Sequence, residues 1–248
     1  AKQESIGLQA ITDGEARRDF WHIDFLSQLE GVSTVESTDA GMKFKTAVQS
    51  KVLETTGRVR CTRPIMAEDF AFLGSLTSRT AKQTIPSPSV LYMRGGRRSV
   101  SASVYPDIDV FWRDLAIAYQ QAIQFFADRG CKYLQLDDVT FSYLCDEKYR
   151  ASVVANGDDP TLLAPTFARV INDALAKRPP GMSITMHTCR GNFRSSWFAE
   201  GSYEPVAEAM FSSAVDGFFM EFDSARAGTF EPLRWLPKGK RVVLGLVT

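Results

Sequence analysis

Residues 110–139 read VFWRDLAIAYQQAIQFFADRGCKYLQLDDV. The first part has apolar residues at helical spacing and ends at Gly130, a pattern that predicts an amphipathic helix with a glycine just past its last turn. The second part, at 133–139, is a short apolar run of the kind found in strands that are buried on both faces of a parallel sheet. Helix and strand together predict one repeat of an α/β fold.

The same pattern recurs along the chain. Further apolar runs at 8–12, 84–93, 183–189, 217–222 and 241–247 predict strands, and 159–179 and 202–215 predict helices. Asp159 before Pro160 suits an N-cap followed by a first-turn proline. Alternating strands and helices indicate a parallel sheet. Residues 31–73 do not follow this order; within them, 43–52 and 57–65 are possible extra strands of a hairpin excursion.

Composition excludes several classes of protein. The 248 residues are 44% hydrophobic and 23% charged, as in a soluble globular protein, and 29 basic residues balance 29 acidic ones. A nucleic-acid-binding protein normally has a basic surplus, and no apolar run approaches the roughly 18 residues of a membrane span. We therefore expect neither nucleic acid nor membrane as a partner. Four scattered cysteines suggest no disulfide framework and a reducing, cytoplasmic compartment.

Ionisable residues follow four of the predicted strands. Active sites of α/β barrels are built where the strands end, whereas doubly wound sheets usually place theirs near one switch point. This distribution favours a (β/α)8 TIM barrel, and about 250 residues is a usual length for one such domain. The residues concerned are Glu15, Asp137, Asp138, His187, Cys189, Glu221 and Asp223.

His187 and Cys189 form a candidate metal site with Glu221. Residues two apart on a strand point to the same side, and Glu221 ends the next strand along the chain. Nitrogen, sulfur and carboxylate ligands together suit Zn²⁺. The alternative is a buried imidazole beside a packed thiol, which is the commoner origin of an isolated His-x-Cys pair. Cys145 could also replace Glu221 or join it.

The acidic residues have structural alternatives too. Asp137 and Asp138 are adjacent on a strand and must face opposite ways, so one is expected to point into the barrel mouth and the other to cap a helix or pair with an arginine. Glu15 could form a salt bridge with Arg17 or Arg18. His22 lies among aromatic residues, which favours a structural role.

Four longer stretches resemble the cobalamin-independent methionine synthase family, and most closely its shorter bacterial relatives that consist of the catalytic barrel alone. They are TDGEARR (12–18), YLQLDDVTFSYLCD (133–146), MHTCRGNFRSSWFAEGSYEPVAE (186–208) and FFMEFDSARAGTFEPLR (218–234).

The resemblance implies a zinc-dependent methyltransferase that moves a methyl group from a methyltetrahydrofolate-type donor to the zinc-bound thiolate of homocysteine, giving methionine. It implies His187, Cys189 and Glu221 as zinc ligands, and Glu15 and Asp137 as the catalytic carboxylates that receive the substrate amino group. Coordination to zinc deprotonates a thiol, whose free pKa is near ~8.5.

The chain departs from the family pattern in ways that leave alternatives open. The family's I-D-E motif reads Leu136-Asp137-Asp138, and the family's fourth zinc ligand is a cysteine that lies beyond Thr248. No N-terminal barrel is recognisable, which leaves open whether the donor is a methylated folate or a corrinoid, and whether the acceptor is homocysteine or a similar thiol. Competing hypotheses are a uroporphyrinogen-decarboxylase-like lyase and a non-catalytic zinc-binding or corrinoid-partner protein.

The strand count predicts that residues 1–248 form one barrel domain that is incomplete at both ends. Six strand units are expected here, whereas a closed barrel has eight. The simplest arrangement adds one unit before Ala1 and one after Val247.

Overall fold

The computed structural model describes residues 2–36, 43–44, 47–48, 51–193 and 196–247. Its strands, in chain order, are β1 (Ala10–Ile11), β2 (Glu30–Glu36), β3 (Lys43–Phe44), β4 (Ala47–Val48), β5 (Lys51–Arg60), β6 (Thr80–Pro86), β7 (Tyr133–Asp138), β8 (Ser183–Thr188), β9 (Asn192–Phe193), β10 (Ser196–Trp197), β11 (Gly217–Glu221) and β12 (Arg241–Gly245). Its α-helices are α1 (Lys2–Ser5), α2 (Ile23–Leu26), α3 (Ala67–Ser75), α4 (Ile108–Asp128), α5 (Thr140–Tyr143), α6 (Glu147–Ala155), α7 (Pro160–Leu175) and α8 (Ala207–Phe211).

The main sheet has the predicted α/β barrel architecture. Within the described residues it contains six parallel strands in the order β1-β6-β7-β8-β11-β12, and it curls into a half-barrel with helices. Each of the six strands overlaps one of the runs that the sequence predicts as strands. Their spatial order equals their order along the chain, as expected when each strand is followed by a helix and then by its neighbour.

The prediction was wrong about the position of the second strand. Residues 84–93 were expected to form it, but β6 ends at Pro86, and Pro88–Leu91 form a 3-10 turn. A proline has no backbone N–H to donate to a strand ladder, so Pro88 prevents the apolar residues that follow from continuing the strand. The chain therefore leaves the sheet at the edge where the site residues lie.

The two long helices pack as their sequences predict, and α7 also begins where predicted, whereas α4 begins at Ile108, two residues before the predicted helical stretch. The side chains of Asp107 and Asp159 accept hydrogen bonds from the backbone of Asp109 and Thr161 and so cap α4 and α7. Each helix turns one apolar face inward, and most of these residues are fully buried. The predicted helix at 202–215 is shorter, since α8 covers only Ala207–Phe211.

Residues 31–73 contain, within their described part, strands that do not join the main sheet. Strands β2 and β5 pair antiparallel, but the sequence did not indicate β2, and β5 overlaps the predicted strands at 43–52 and 57–65 only in part. Of 43–52, residues 45–46 and 49–50 lie outside the described residues. Gly31 allows the close approach of the two strands: its φ is +78°, and a Cβ there would lie 2.5 Å from the carbonyl oxygen of Arg58.

None of the helices in the described ranges is long and apolar enough to cross a membrane.

His22 is buried beside the ring of Trp21, with 4.6 Å between the ring centroids. Burial, aided by the charge of Arg94, lowers the pKa of His22 to about 3. The imidazole is therefore neutral, consistent with the structural role expected from the sequence.

Candidate metal and substrate site

Strand β8 places the His-x-Cys pair at its carboxyl end. Along this strand Ile184, Met186 and Thr188 are fully buried, whereas His187 lies on the opposite face and is partly exposed. Cys189 follows the last residue of β8 and is also partly exposed. The alternation of a strand therefore directs the imidazole and the thiol away from the buried face.

His187 is joined to Asp137 on the neighbouring strand. The parallel register of β7 and β8 sets these two residues side by side, and His187 Nδ1 lies 3.2 Å from Asp137 Oδ1. Gln135 Nε2 donates to the same oxygen at 2.6 Å. Burial lowers the pKa of His187, but the hydrogen bond and charge of Asp137, with the charge of Glu221, outweigh burial and raise it. A proton held on Nδ1 by Asp137 leaves Nε2 of the neutral ring with a lone pair for a metal.

The Cys189 thiol lies in a half-buried, acidic environment. Burial raises its pKa to about 11, and the charges of Glu221 and Asp137 add to the effect. The backbone N–H groups of Gly191 and Asn192 act in the opposite direction, and Gly191 N lies 3.3 Å from the sulfur. Without a cation, the sulfur is therefore a protonated thiol at neutral pH. A cation beside it would reverse this preference.

Glu221 ends β11 with its carboxylate held by two nitrogen groups. Oε2 accepts a hydrogen bond from the backbone N–H of Arg190 at 2.9 Å and lies 3.9 Å from Arg226 Nη2. The carboxylate is close enough for its charge to act on both His187 and Cys189. It therefore belongs to the same cluster.

The donor set of this cluster fits zinc, although its side chains do not converge on a metal position. Imidazole nitrogen, thiol sulfur and carboxylate oxygen are the groups that bind Zn²⁺ in proteins. The N–H donors to the Cys189 sulfur and the Asp137 partner of His187 are also of the kind that surrounds metal ligands. Across the described residues, however, no three His, Cys, Asp or Glu side chains stand in a metal-holding arrangement.

Glu15 stands in a strained turn after β1 that directs its carboxylate toward β6. Its φ is +59°, a conformation that costs a non-glycine residue about 1–3 kcal/mol, and its N–H donates to Asp13 Oδ1 at 2.9 Å. Thr84 on β6 donates to Glu15 Oε1 at 2.8 Å, and Arg18 lies 3.3 Å from the same oxygen. The salt bridge considered from the sequence is thus present. Thr84 is the register partner of Gln135 of β7, so the residues that hold Glu15 and Asp137 lie side by side in the sheet.

Asp138 faces the other way and has a structural role. It is fully buried, and its Oδ1 accepts from the backbone N–H groups of Thr140 and Phe141 at 2.7 and 3.1 Å, and from the Thr140 hydroxyl at 2.8 Å. Its Oδ2 accepts from the hydroxyls of Ser87 and Ser89. The two adjacent aspartates therefore separate as the strand geometry requires, with Asp137 at the site and Asp138 holding the turns after β6 and β7.

Cys145 has different neighbours from Cys189. Its sulfur donates to the carbonyl of Phe141 at 3.3 Å. Burial raises its pKa to about 12, and the nearby charges of Arg190 and Arg150 oppose the shift. This environment is that of a packed thiol.

Sequence reasoning did not single out Gln135, Thr84 or Arg190. Gln135 and Thr84 are polar positions within otherwise apolar runs, a signal that was available. Arg190 is completely buried over the ring of Tyr203, with 4.4 Å from its guanidinium carbon to the ring centroid. Among the described residues, none accepts a hydrogen bond from its side-chain nitrogens. Its place directly after the His-x-Cys pair was the only hint in the sequence.

A cavity of about 690 Å³ opens among the loops that follow β7, β10 and β11, within the size range of small-molecule sites. Cys145, Arg150, Gly201 and Arg226 are among the residues that line it. Arg226 lies between this cavity and the candidate metal site. It lines the cavity and lies near Glu221, and its guanidinium pairs with Asp223 at 2.8 Å.

Comparisons with known proteins identify relatives over the whole chain. Two proteins of Bacillus subtilis (strain 168), the uncharacterized YxjH and YxjG, are 42% identical over 250 residues and 44% identical over 253 residues. Each match covers 100% of this chain and 66% of the relative, so the chain spans about two thirds of the length of these proteins. No family model matches the chain.

Solved structures give the same result. A proposed vitamin-B12-independent methionine synthase from Listeria monocytogenes is 38% identical and has a TM-score of 0.75. The match covers 100% of this chain and 66% of the Listeria chain. Two further structures share the fold. One is a B12-independent methionine synthase from Shewanella sp. W3-18-1, with 18% identity and a TM-score of 0.69, and the other is a methyltransferase from Methanosarcina mazei, with 12% identity and a TM-score of 0.51. Each match covers 98% of this chain and 66% of the other chain. With motifs, strand order and relatives in agreement, the chain belongs to the cobalamin-independent methionine synthase family.

Proposed function

We propose that the protein is a zinc-dependent methyltransferase that transfers a methyl group from a methyltetrahydrofolate-type donor to the thiolate of homocysteine, giving methionine. The observation that carries the proposal is the cluster of His187, Cys189 and Glu221 at the ends of neighbouring strands, with Asp137 hydrogen-bonded to His187. The named relatives among solved structures support the same class of reaction. The free thiols suit a cytoplasmic enzyme.

His187, Cys189 and Glu221 would hold the zinc. Bound there, it would supply the positive charge that keeps the acceptor sulfur deprotonated at neutral pH. The acidic surroundings that raise the pKa of Cys189 would then be balanced by the cation. Asp137 would keep the proton of His187 on Nδ1, so that Nε2 faces the metal.

Glu15 and Asp137 would bind the amino group of the acceptor. Each carboxylate accepts hydrogen bonds within the protein but retains an oxygen for which the structure gives no hydrogen bond among the described residues: Oε2 of Glu15 and Oδ2 of Asp137. Two carboxylates suit an ammonium group and are unsuited to a phosphate. The substrate would extend from these carboxylates to the sulfur position beside Cys189.

The function is tested in two parallel reactions of the zinc-loaded, full-length protein with homocysteine. One reaction contains a methylated folate as the methyl donor, and the other contains a methylated corrinoid. We expect methionine to form with the methylated folate. Methionine formed only from the corrinoid would reassign the donor, and no methionine from either would contradict the proposed activity.

Substituting Glu15→Gln or Asp137→Asn should weaken homocysteine binding while zinc stays bound. Each change removes a charge-assisted hydrogen bond to the ammonium group, worth about 1.5–3 kcal/mol. Titration of the apparent homocysteine affinity, with the zinc content measured in parallel, is the test. Arg18→Gln provides a control, because it removes the neighbour of Glu15 and leaves both carboxylates. Unchanged affinity in both variants would show that the carboxylates are structural.

A further inference from the structure

Arg226, in the loop after β11, lies beside the candidate zinc ligand Glu221. Its Nη2 is 3.9 Å from Glu221 Oε2, which is an ion-pair distance rather than a hydrogen bond. Both side chains are largely buried, with 11% of Arg226 and 19% of Glu221 exposed. The two charges therefore attract each other in surroundings that water screens only weakly.

Neighbouring groups fix the Arg226 guanidinium in place. Nε and Nη2 donate to the two carboxylate oxygens of Asp223 at 3.2 and 2.8 Å, a two-point contact that defines the orientation of the guanidinium plane. The guanidinium carbon lies 4.8 Å from the centroid of the Trp197 ring on β10. The backbone is held as well, because the Arg226 carbonyl accepts a hydrogen bond from the Gly201 N–H at 2.8 Å. The positive charge next to Glu221 thus has a defined position.

Within the described residues, the contacts of the Glu221 carboxylate fall on one oxygen. Oε2 accepts a hydrogen bond from the backbone N–H of Arg190 at 2.9 Å and lies near Arg226, whereas Oε1 has no hydrogen bond in that part of the chain. Carboxylates that bind metals are themselves held by hydrogen bonds from the surrounding protein. The protein therefore engages one oxygen of Glu221 and leaves the other available to a cation.

We propose that Arg226 is a positioning residue for the metal site: together with the Arg190 N–H it holds Oε2 of Glu221, so that Glu221 binds zinc through Oε1 alone. This inference rests on the proposed function. In this role Arg226 touches neither the metal nor the substrate and acts only through Glu221. Asp223 and Trp197 keep the guanidinium from rotating away.

Charge and position predict opposite effects of removing Arg226. A nearby cation repels Zn²⁺, so on charge alone Arg226→Gln should strengthen zinc binding. If Arg226 orients Glu221, the same change should weaken zinc binding by roughly 10- to 100-fold, the usual cost of losing a group that holds a metal ligand.

A double substitution, Arg226→Gln with Asp223→Asn, separates the two effects. It removes a cation and an anion together, so the net charge beside the zinc does not change. It also avoids leaving Asp223, of which 7% is exposed, as a buried carboxylate without its arginine, which would destabilise the fold.

The test measures the zinc affinity of the full-length wild type, Arg226→Gln and the double variant by competition with a chromogenic chelator. Both variants should bind zinc roughly 10- to 100-fold more weakly. Cobalt(II) bound in place of zinc should show a changed visible spectrum in both, since that spectrum depends on the arrangement of the ligands. The metal-free double variant should melt at the wild-type temperature.

Arg234→Gln is the matched control. Arg234 also pairs with a carboxylate, that of Glu204, and its guanidinium carbon lies 5.4 Å from the centroid of the Trp235 ring. However, 52% of Arg234 is exposed, and its described ion pair does not involve a candidate zinc ligand. This variant should keep the wild-type zinc affinity and cobalt spectrum.

Tighter zinc binding in Arg226→Gln, or unchanged zinc affinity in the double variant, would overturn the inference. So would a weaker affinity that comes with a lowered melting temperature and an unchanged cobalt spectrum, because that result would show a structural role. A wild-type protein that binds no zinc would instead contradict the proposed function, and remove this inference with it.

Discussion

Replacing Cys189 with serine is expected to release the zinc and abolish methionine formation. The thiolate is the strongest zinc donor of the proposed set, and a serine hydroxyl at this position would stay protonated and bind zinc far more weakly. The loss of affinity should exceed the roughly 10- to 100-fold effect of removing a second-shell partner. The loss of zinc is measured by metal analysis of the purified full-length protein, and the loss of zinc affinity by competition with a chromogenic chelator.

Cys145→Ser is the matched control for this experiment. The two cysteines have similarly raised pKa values, about 11 and about 12, but the Cys145 sulfur is bonded to the Phe141 carbonyl. This variant should retain zinc and activity. If Cys145→Ser lost the metal, or Cys189→Ser kept it, the ligand assignment would be wrong.

Replacing Asp138 with alanine is expected to cost about 3–5 kcal/mol of unfolding free energy, or to prevent folding, because it removes a buried charged group from a hydrogen-bonded network. The substitution would leave the backbone N–H groups of Thr140 and Phe141 and the hydroxyls of Ser87 and Ser89 without their acceptor. Buried donors left unpaired are costly. Urea denaturation of the full-length protein measures the loss.

The neighbouring aspartate supplies the comparison. Asp137→Asn should change the unfolding free energy far less, since Asp137 accepts from two side chains at a partly exposed position, while it lowers homocysteine affinity. One aspartate is expected to control stability and the other substrate binding. Equal losses of stability in Asp137→Asn and Asp138→Ala would contradict this division.

The sequence predicts the main sheet well because its strands read as short apolar runs. The inner strands β7 and β11 are largely buried, whereas β12 forms from such a run although its residues are exposed or half-buried. Its errors have physical causes. Pro88 ends the second strand early, although the apolar residues after it continue the pattern. Strand β2 has no such run, and its pairing with β5 is an antiparallel contact between distant segments that local periodicity does not encode.

The residue types of the site could be predicted, but their contacts could not. The ends of parallel strands meet at one edge of a sheet, so placing His187 near Glu221 needs only the strand order. The hydrogen bond from His187 to Asp137 depends on register, and the direction of Glu15 depends on a left-handed backbone conformation that its sequence does not demand.

X-ray absorption at the zinc edge, recorded on the zinc-loaded full-length protein with and without homocysteine, tests the central claim most directly. The claim is that the zinc held by His187, Cys189 and Glu221 also binds the acceptor sulfur. We predict a Zn–S shell near ~2.3 Å that gains one sulfur when homocysteine is added, and that Cys189→Ser abolishes. A zinc spectrum that homocysteine leaves unchanged would contradict it.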